Sequence, residues 1–227
     1  MIRKNTGKEA SVEEVIETLR DVPGAPDTLC AICYLKQRAA ERALRGLYTE
    51  LVNDYDLRLR WRKTTGFCRQ HGELASRIGD PLGTAILYLD MVDSNQATGD
   101  DGGKMKPWAR KRLQPSKDGK CLCCTDEKIA EERYLQAVAS GMRQDSSFID
   151  ALTASRHGLC IAHSSLLQGT LPTDLAQALQ KETMRRLALL KEQLAEIVRK
   201  SDYRYQHEPR GDEKDAWLRA LQLFSSR

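Results

Sequence analysis

The stretch "CLCCTDEKIAEERYLQAVASGM", Cys121–Met142, joins the two features on which the reading of the whole chain turns. It opens with a C-x-x-C pair, Cys121 and Cys124. It then runs on through Ala, Leu, Glu, Arg and Lys, residues that favour a helix, with one glycine, Gly141. Two thiols three residues apart at a helix start can reach one ion. The unpaired N–H groups of that first turn also favour their thiolate forms. A second stretch is written the same way: "LCAICYLKQRAAERALRGLYTELVND", Leu29–Asp54, with Cys30 and Cys33 at its head.

Each pair is followed by a G-Φ-C-x-x-H phrase, "GFCRQH" at Gly66–His71 and "GLCIAH" at Gly158–His163, with 34 and 35 residues between the second Cys of the pair and the Cys of the phrase. The C-x-x-C pairs are offset by 91 residues and the C-x-x-H phrases by 92. Ala40-Glu41-Arg42 and Glu131-Glu132-Arg133 fall at matched distances between them, and Pro81 and Pro172 follow in both. Ordered landmarks at a near-constant offset predict an internal duplication. The expected organisation is an N-terminal helix at 1–27, a first unit at 28–95, a basic linker at 96–118, a second unit at 119–200, and a C-terminal loop and helix at 201–227.

Three thiolates and an imidazole are a tetrahedral zinc set, and sulfur donors select zinc or iron–sulfur centres over Mg²⁺ or Ca²⁺. Within-copy assembly predicts one site from Cys30, Cys33, Cys68 and His71. It predicts a second from Cys121, Cys124, Cys160 and His163. The expected cofactor is two Zn²⁺ per chain, an Fe–S cluster being the alternative. Cys123 aligns with Ile32 and reads as a small core residue. His157 and His207 lack partner patterns and read as ordinary polar residues. A thiol–disulfide enzyme would leave both paired histidines unexplained, and neither motif has a βαβ pattern around it.

The elements between read as helices, giving an all-α fold of two metal-nucleated units plus terminal helices. Ser11-x-x-Glu14 is a capping box that starts the first helix, and Pro23, Gly24 and Pro26 end it. Asp80-Pro81 is an N-cap followed by proline at the first helical position. Leu175, Leu179, Leu187, Leu190, Leu194 and Ile197 form one helical stripe. "DLRLRWRK", Asp56–Lys63, alternates like a strand, but its slot in the second copy, "FIDALTAS" at Phe148–Ser155, does not, and both are expected to be helical. A final helix is expected from about Asp212.

No apolar run approaches a membrane span, and the N-terminus lacks the apolar core of a secretory signal, so a cytoplasmic location and no membrane partner are expected. Seven cysteines in that setting point to metal rather than disulfides. The net charge of +4 is concentrated in Lys104–Lys120, which alone carries +6. Within it Lys104, Lys106, Trp108, Arg110, Lys111 and Arg112 are the candidate nucleic-acid contacts, although a solvated connector is the commoner use of such a segment. G-x-S-x-G, phosphate-cradling loops and H-E-x-x-H are absent, and four protein ligands per ion leave no open position, so the sites read as structural. The leading expectation is a non-enzymatic adaptor or regulatory module with an unknown protein partner. The alternatives are an Fe–S redox or metal sensor and a nucleic-acid-binding protein.

The paired C-x-x-C and G-Φ-C-x-x-H phrases, with the tail "DYRYQHEPRGDEKDAW" at Asp202–Trp217, resemble an uncharacterised prokaryotic domain-of-unknown-function family. The resemblance spans nearly the whole chain. It implies a layout and no reaction.

Overall fold

The computed structural model describes residues 11–20, 30–96, 121–155 and 158–224. The helices are α1 Val12–Arg20, α2 Ala31–Gly46, α3 Tyr55–Trp61, α4 Arg69–Ile78, α5 Pro81–Gln96, α6 Leu122–Met142, α7 Ser147–Ala154, α8 Ile161–Gln168, α9 Thr173–Lys200 and α10 Ala216–Phe224. A π-helical turn, Leu47–Leu51, extends α2, and a 3₁₀ turn, Asp212–Asp215, leads into α10. Among the described residues there is no β-strand, so the fold is all-α. The chain divides into two compact units, Met1–Leu35 with Glu131–Arg227, and Lys36–Ala130.

In the first unit, Val15, Ile16 and Leu19 of α1 are buried, and α1 packs on α7. The amide of Glu14 donates to Ser11 Oγ at 3.1 Å, so the capping box half predicted from Ser11 forms. A Cβ on Gly141 would stand 2.7 Å from Val12, which explains a glycine inside a long helix. The stripe of α9 faces inward: Leu179 and Leu190 are buried, and Leu175, Leu187, Leu194 and Ile197 are half-buried. Beyond α9 the chain is held by charge. Lys200 donates to Glu213 at 2.8 Å, and Arg199 pairs with Glu208. Arg204 pairs locally with Asp202, while Arg210 and Trp217 are exposed.

The second unit is built around Trp61, which is fully buried and donates its indole N–H to the carbonyl of Leu87 at 2.8 Å. Leu44, Leu47, Leu57, Leu74, Leu87 and Cys123 share its core. The alternating segment Asp56–Lys63 is helical because its strongest residues are four apart. Leu57 and Trp61 enter the core together, and Arg58 and Arg62 both reach Asp90. Asp54 caps this helix by accepting from the amide of Leu57 at 2.7 Å. Asp80 caps α5 the same way, accepting from Gly83 at 2.8 Å.

The N-terminal breakers Pro23, Gly24 and Pro26, the histidine His157 and the basic segment Lys104–Lys120 lie outside the described residues.

Candidate metal centres

All four cysteine phrases sit in one register. Cys30, Cys68, Cys121 and Cys160 each stand one residue before a helix, and their carbonyls accept from Tyr34, Gly72, Thr125 and Ser164 at 3.0, 2.7, 3.3 and 2.9 Å. Each is thus an N-cap, and the second member of its phrase (Cys33, His71, Cys124 or His163) is the third helical residue. That geometry turns both side chains of a phrase to one side of the helix start, where the positive end of the helix dipole meets them.

The predicted eight ligands gather into two groups of four, with all ligand atoms of a group within 4.8 Å of one another. The pairing differs from the expected one. Cys30 and Cys33 meet Cys160 and His163, and Cys121 and Cys124 meet Cys68 and His71. The expectation that each copy completes its own site is therefore corrected: each C-x-x-C takes the C-x-x-H of the other copy. The local reason is visible at the first centre. Cys30 and Gly158 form a parallel backbone bridge, with the Ala31 amide donating to the Gly158 carbonyl at 3.4 Å. This bridge brings the distant helix starts together.

The glycines that precede the C-x-x-H phrases act differently. Gly66 has φ 83°, the left-handed region that disfavours other residues, and a Cβ there would stand 3.0 Å from the Tyr88 hydroxyl. Gly158 leaves room for Arg186, whose Nη1 would lie 3.0 Å from a Cβ.

At the first centre His163 Nδ1 lies 3.3, 3.3 and 3.1 Å from the sulfurs of Cys30, Cys33 and Cys160, and Cys33 and Cys160 are 3.9 Å apart. At the second, His71 Nδ1 lies 3.2, 3.6 and 3.3 Å from Cys68, Cys121 and Cys124, and Cys68 and Cys124 are 3.6 Å apart. One ring nitrogen has a single N–H or a single lone pair, so hydrogen bonding cannot account for three sulfurs around it. A central cation can. Metal–sulfur bonds of about 2.3 Å and metal–nitrogen bonds of about 2.0–2.1 Å give tetrahedral edges of roughly 3.5–3.8 Å, close to these separations.

The remaining ring nitrogens are also placed. His163 Nε2 is 2.7 Å from Glu131, and His71 Nε2 is 3.7 Å from Glu127. Carboxylates behind metal-binding imidazoles fix the ring and its tautomer. The sequence reading noticed Glu131 as a landmark without assigning it this role, and missed Glu127. Their position on the turns after Cys124 was the available signal.

The charge distribution is that of thiols crowded together. Contacts from Cys30 and Cys33 draw the Cys160 thiol far below its ordinary range, and its own contact with Cys160 pushes Cys33 far up. Cys123 and His71 draw Cys121 down to about 3, while burial first, and then Cys121, pushes Cys124 up. The thiolate of Cys121 foremost holds His71 up at about 9. Burial pulls His163 down, but Cys160 and Cys30 outweigh it and hold it at about 10. In each group one sulfur, Cys160 or Cys121, is thus favoured as thiolate while a neighbour, Cys33 or Cys124, is driven to keep its proton, and a cation among them would let more of the thiols ionise.

Cys123 belongs to neither group. It is buried in the second unit's core, as its alignment with Ile32 suggests. His207 is exposed and outside both groups. No helix among the described residues is long and apolar enough to cross a membrane.

An uncharacterized 23.9 kDa protein encoded in the xynA 3′ region of Caldicellulosiruptor sp. (strain Rt8B.4) is 29% identical over 198 residues, covering 86% of this chain and 94% of its own length. No solved structure matches the chain. Residues 16–227, which include all eight gathered ligands, match a family of unknown function, and the chain therefore belongs to that family, DUF6062.

Proposed function

We propose that the protein is a non-enzymatic, cytoplasmic zinc protein in which two Cys₃His centres serve structure and the helical surfaces bind a protein partner. The observation that carries this reading is the set of tetrahedral-edge separations among three sulfurs and one imidazole nitrogen in each group. Such spacing fits one ion. It does not leave room for an iron–sulfur cluster, which interposes several iron and sulfide atoms between its cysteines. Four protein donors complete a tetrahedron, the pattern of structural zinc, whereas catalytic zinc keeps a position open. Metal binding on the order of 10–16 kcal/mol per site is comparable to a whole domain's net stability of roughly 5–15 kcal/mol, so folding and metal would be coupled.

Exposed apolar side chains support the partner-binding half. On α5, Leu82, Leu89 and Val92 are exposed, and on α10, Trp217, Leu221 and Phe224 are exposed at helical spacing.

Anaerobic purification followed by metal analysis and an absorption spectrum tests the metal assignment. Two equivalents of zinc and no visible absorbance are expected. A brown protein containing iron and acid-labile sulfide would overturn the zinc assignment in favour of the sensor alternative.

A further inference from the structure

The first unit holds an open cavity of about 290 Å³ beside the first centre, whose Cys30 and Cys160 form part of its lining. This is near the lower end of ligand pockets, roughly 300–1,000 Å³, so its occupant is a small molecule. Leu159, Leu189, Leu190 and Leu223 give it apolar walls. Three guanidiniums, Arg185, Arg186 and Arg219, line it against a single carboxylate, Asp212.

Two of these guanidiniums are held by the same edge. Arg185 donates through Nε and Nη2 to Glu182, and Arg219 through Nε to Asp215 and Nη2 to the Asp212 carbonyl. Guanidinium carries five N–H donors, and among the described residues no partner takes Nη1 of Arg185 or Arg219, so that edge of each remains for an acceptor. Arg186 is committed more fully, to Glu182 and to the carbonyls of Leu152 and Ser155 that end α7.

Gln193 supplies the opposite requirement. Its Oε1 is buried and has no hydrogen-bond partner among the described residues. A buried acceptor left unpaired costs about 1–3 kcal/mol, and a donor on a bound molecule would satisfy it.

We propose that this cavity binds a small amphipathic carboxylate whose chain carries a hydroxyl. The apolar walls take the chain, the Nη1 edges of Arg185 and Arg219 take the carboxylate, and Gln193 accepts from the hydroxyl. The proposal does not depend on which metal the protein holds.

Calorimetric titration of the full, metal-loaded chain with decanol, decanoate and 3-hydroxydecanoate tests each part. Decanoate should bind saturably at one per chain, about tenfold or more tighter than decanol, as expected for charge-assisted hydrogen bonds. The hydroxy acid should bind more tightly still, and Gln193→Leu should erase that increment. Arg185→Gln should weaken decanoate about tenfold and leave decanol unchanged, which mere loosening of the fold would not do. Leu189 is 43% exposed at the cavity, so Leu189→Trp should block binding while helicity and metal content stay at the parent level. No saturable binding of any probe, decanol as tight as decanoate, or undiminished binding to Leu189→Trp would each overturn the site. A hydroxy acid no tighter than decanoate would overturn the role of Gln193.

Discussion

His163 has Glu131 2.7 Å from its outer nitrogen, whereas His71 has Glu127 at 3.7 Å, beyond a direct hydrogen bond. The sulfurs of the first centre sit beside a backbone bridge at Gly158, with Cys30 and Cys160 buried. Those of the second adjoin an aromatic core, where Trp61 meets Phe67 and Tyr88 edge-on at centroid distances of 4.8 and 5.4 Å. Two centres with the same donors in the same helical register are therefore secured in different ways. The first is steadied by a carboxylate and a backbone contact, the second by packing. The ligand set fixes the chemistry of a centre, and its neighbours decide what makes it rigid.

The largest effect should come from the ligands, and paired substitutions can break the comparison at its root. Cys30→Ser with Cys160→Ser should cost one equivalent of metal, because both belong to the first centre. Cys30→Ser with Cys68→Ser should cost both equivalents. Metal stoichiometry reads the difference, and the opposite pattern would restore within-copy pairing. Each lost metal should also remove helicity, since site binding energy is folding energy.

Trp61→Ala probes the packed centre. Removing a fully buried indole should cost about 3–5 kcal/mol in chemical denaturation. It should hasten metal loss to a chelator at the second centre and leave the first at its parent rate. Equal acceleration at both centres would show that core packing does not distinguish them.

Glu131→Gln and Glu127→Gln sharpen the contrast from the other side. The first should lower metal affinity at its centre about 10–100-fold, as losses of imidazole-orienting carboxylates do. The second should do less, because its carboxylate stands farther away. Competition with a calibrated chelator measures both, and equal losses would contradict the geometry.

Asp90→Asn should have the smallest effect and touch only the second unit. Asp90 is 6% exposed and receives Arg58 and Arg62 at 2.7 and 2.5 Å. Arg62 foremost, with Arg58, holds its carboxyl below the ordinary 3.8. A lowered carboxyl stabilises the fold above its unfolded value and loses that contribution as pH falls through the folded one. The deficit of the variant should therefore be flat from pH 8 to about pH 5 and shrink only in stronger acid. With Arg58 and Arg62 34% and 40% exposed, about 1–2 kcal/mol is expected from urea midpoints. A deficit that changes across the neutral range would implicate another group.

The eight Cys and His side chains that gather were legible in the sequence because C-x-x-C and C-x-x-H are local: three residues at a helix start place two donors on one side without help from the rest of the fold. The helical class was legible for a similar reason, since Leu57 and Trp61 obey helical spacing even inside an alternating segment. Which half-sites meet was not legible. Four half-sites in one register are locally interchangeable, and only long-range features such as the Cys30–Gly158 bridge distinguish them. The cavity was equally hidden, because Leu159, Arg185, Gln193 and Arg219 converge from three separate segments.

The exchanged pairing also nests one centre inside the other along the chain. The second centre joins phrases 50–56 residues apart, and the first joins phrases 127–133 apart, enclosing it. During synthesis the inner centre has all its donors once Cys124 has emerged, whereas the outer one must wait for His163. Closing the longer loop unaided costs about 0.8 kcal/mol more in chain entropy, and an inner centre already closed shortens the slack that remains. The chain thus carries an order of assembly, in which the group completed first is the one encoded in the middle.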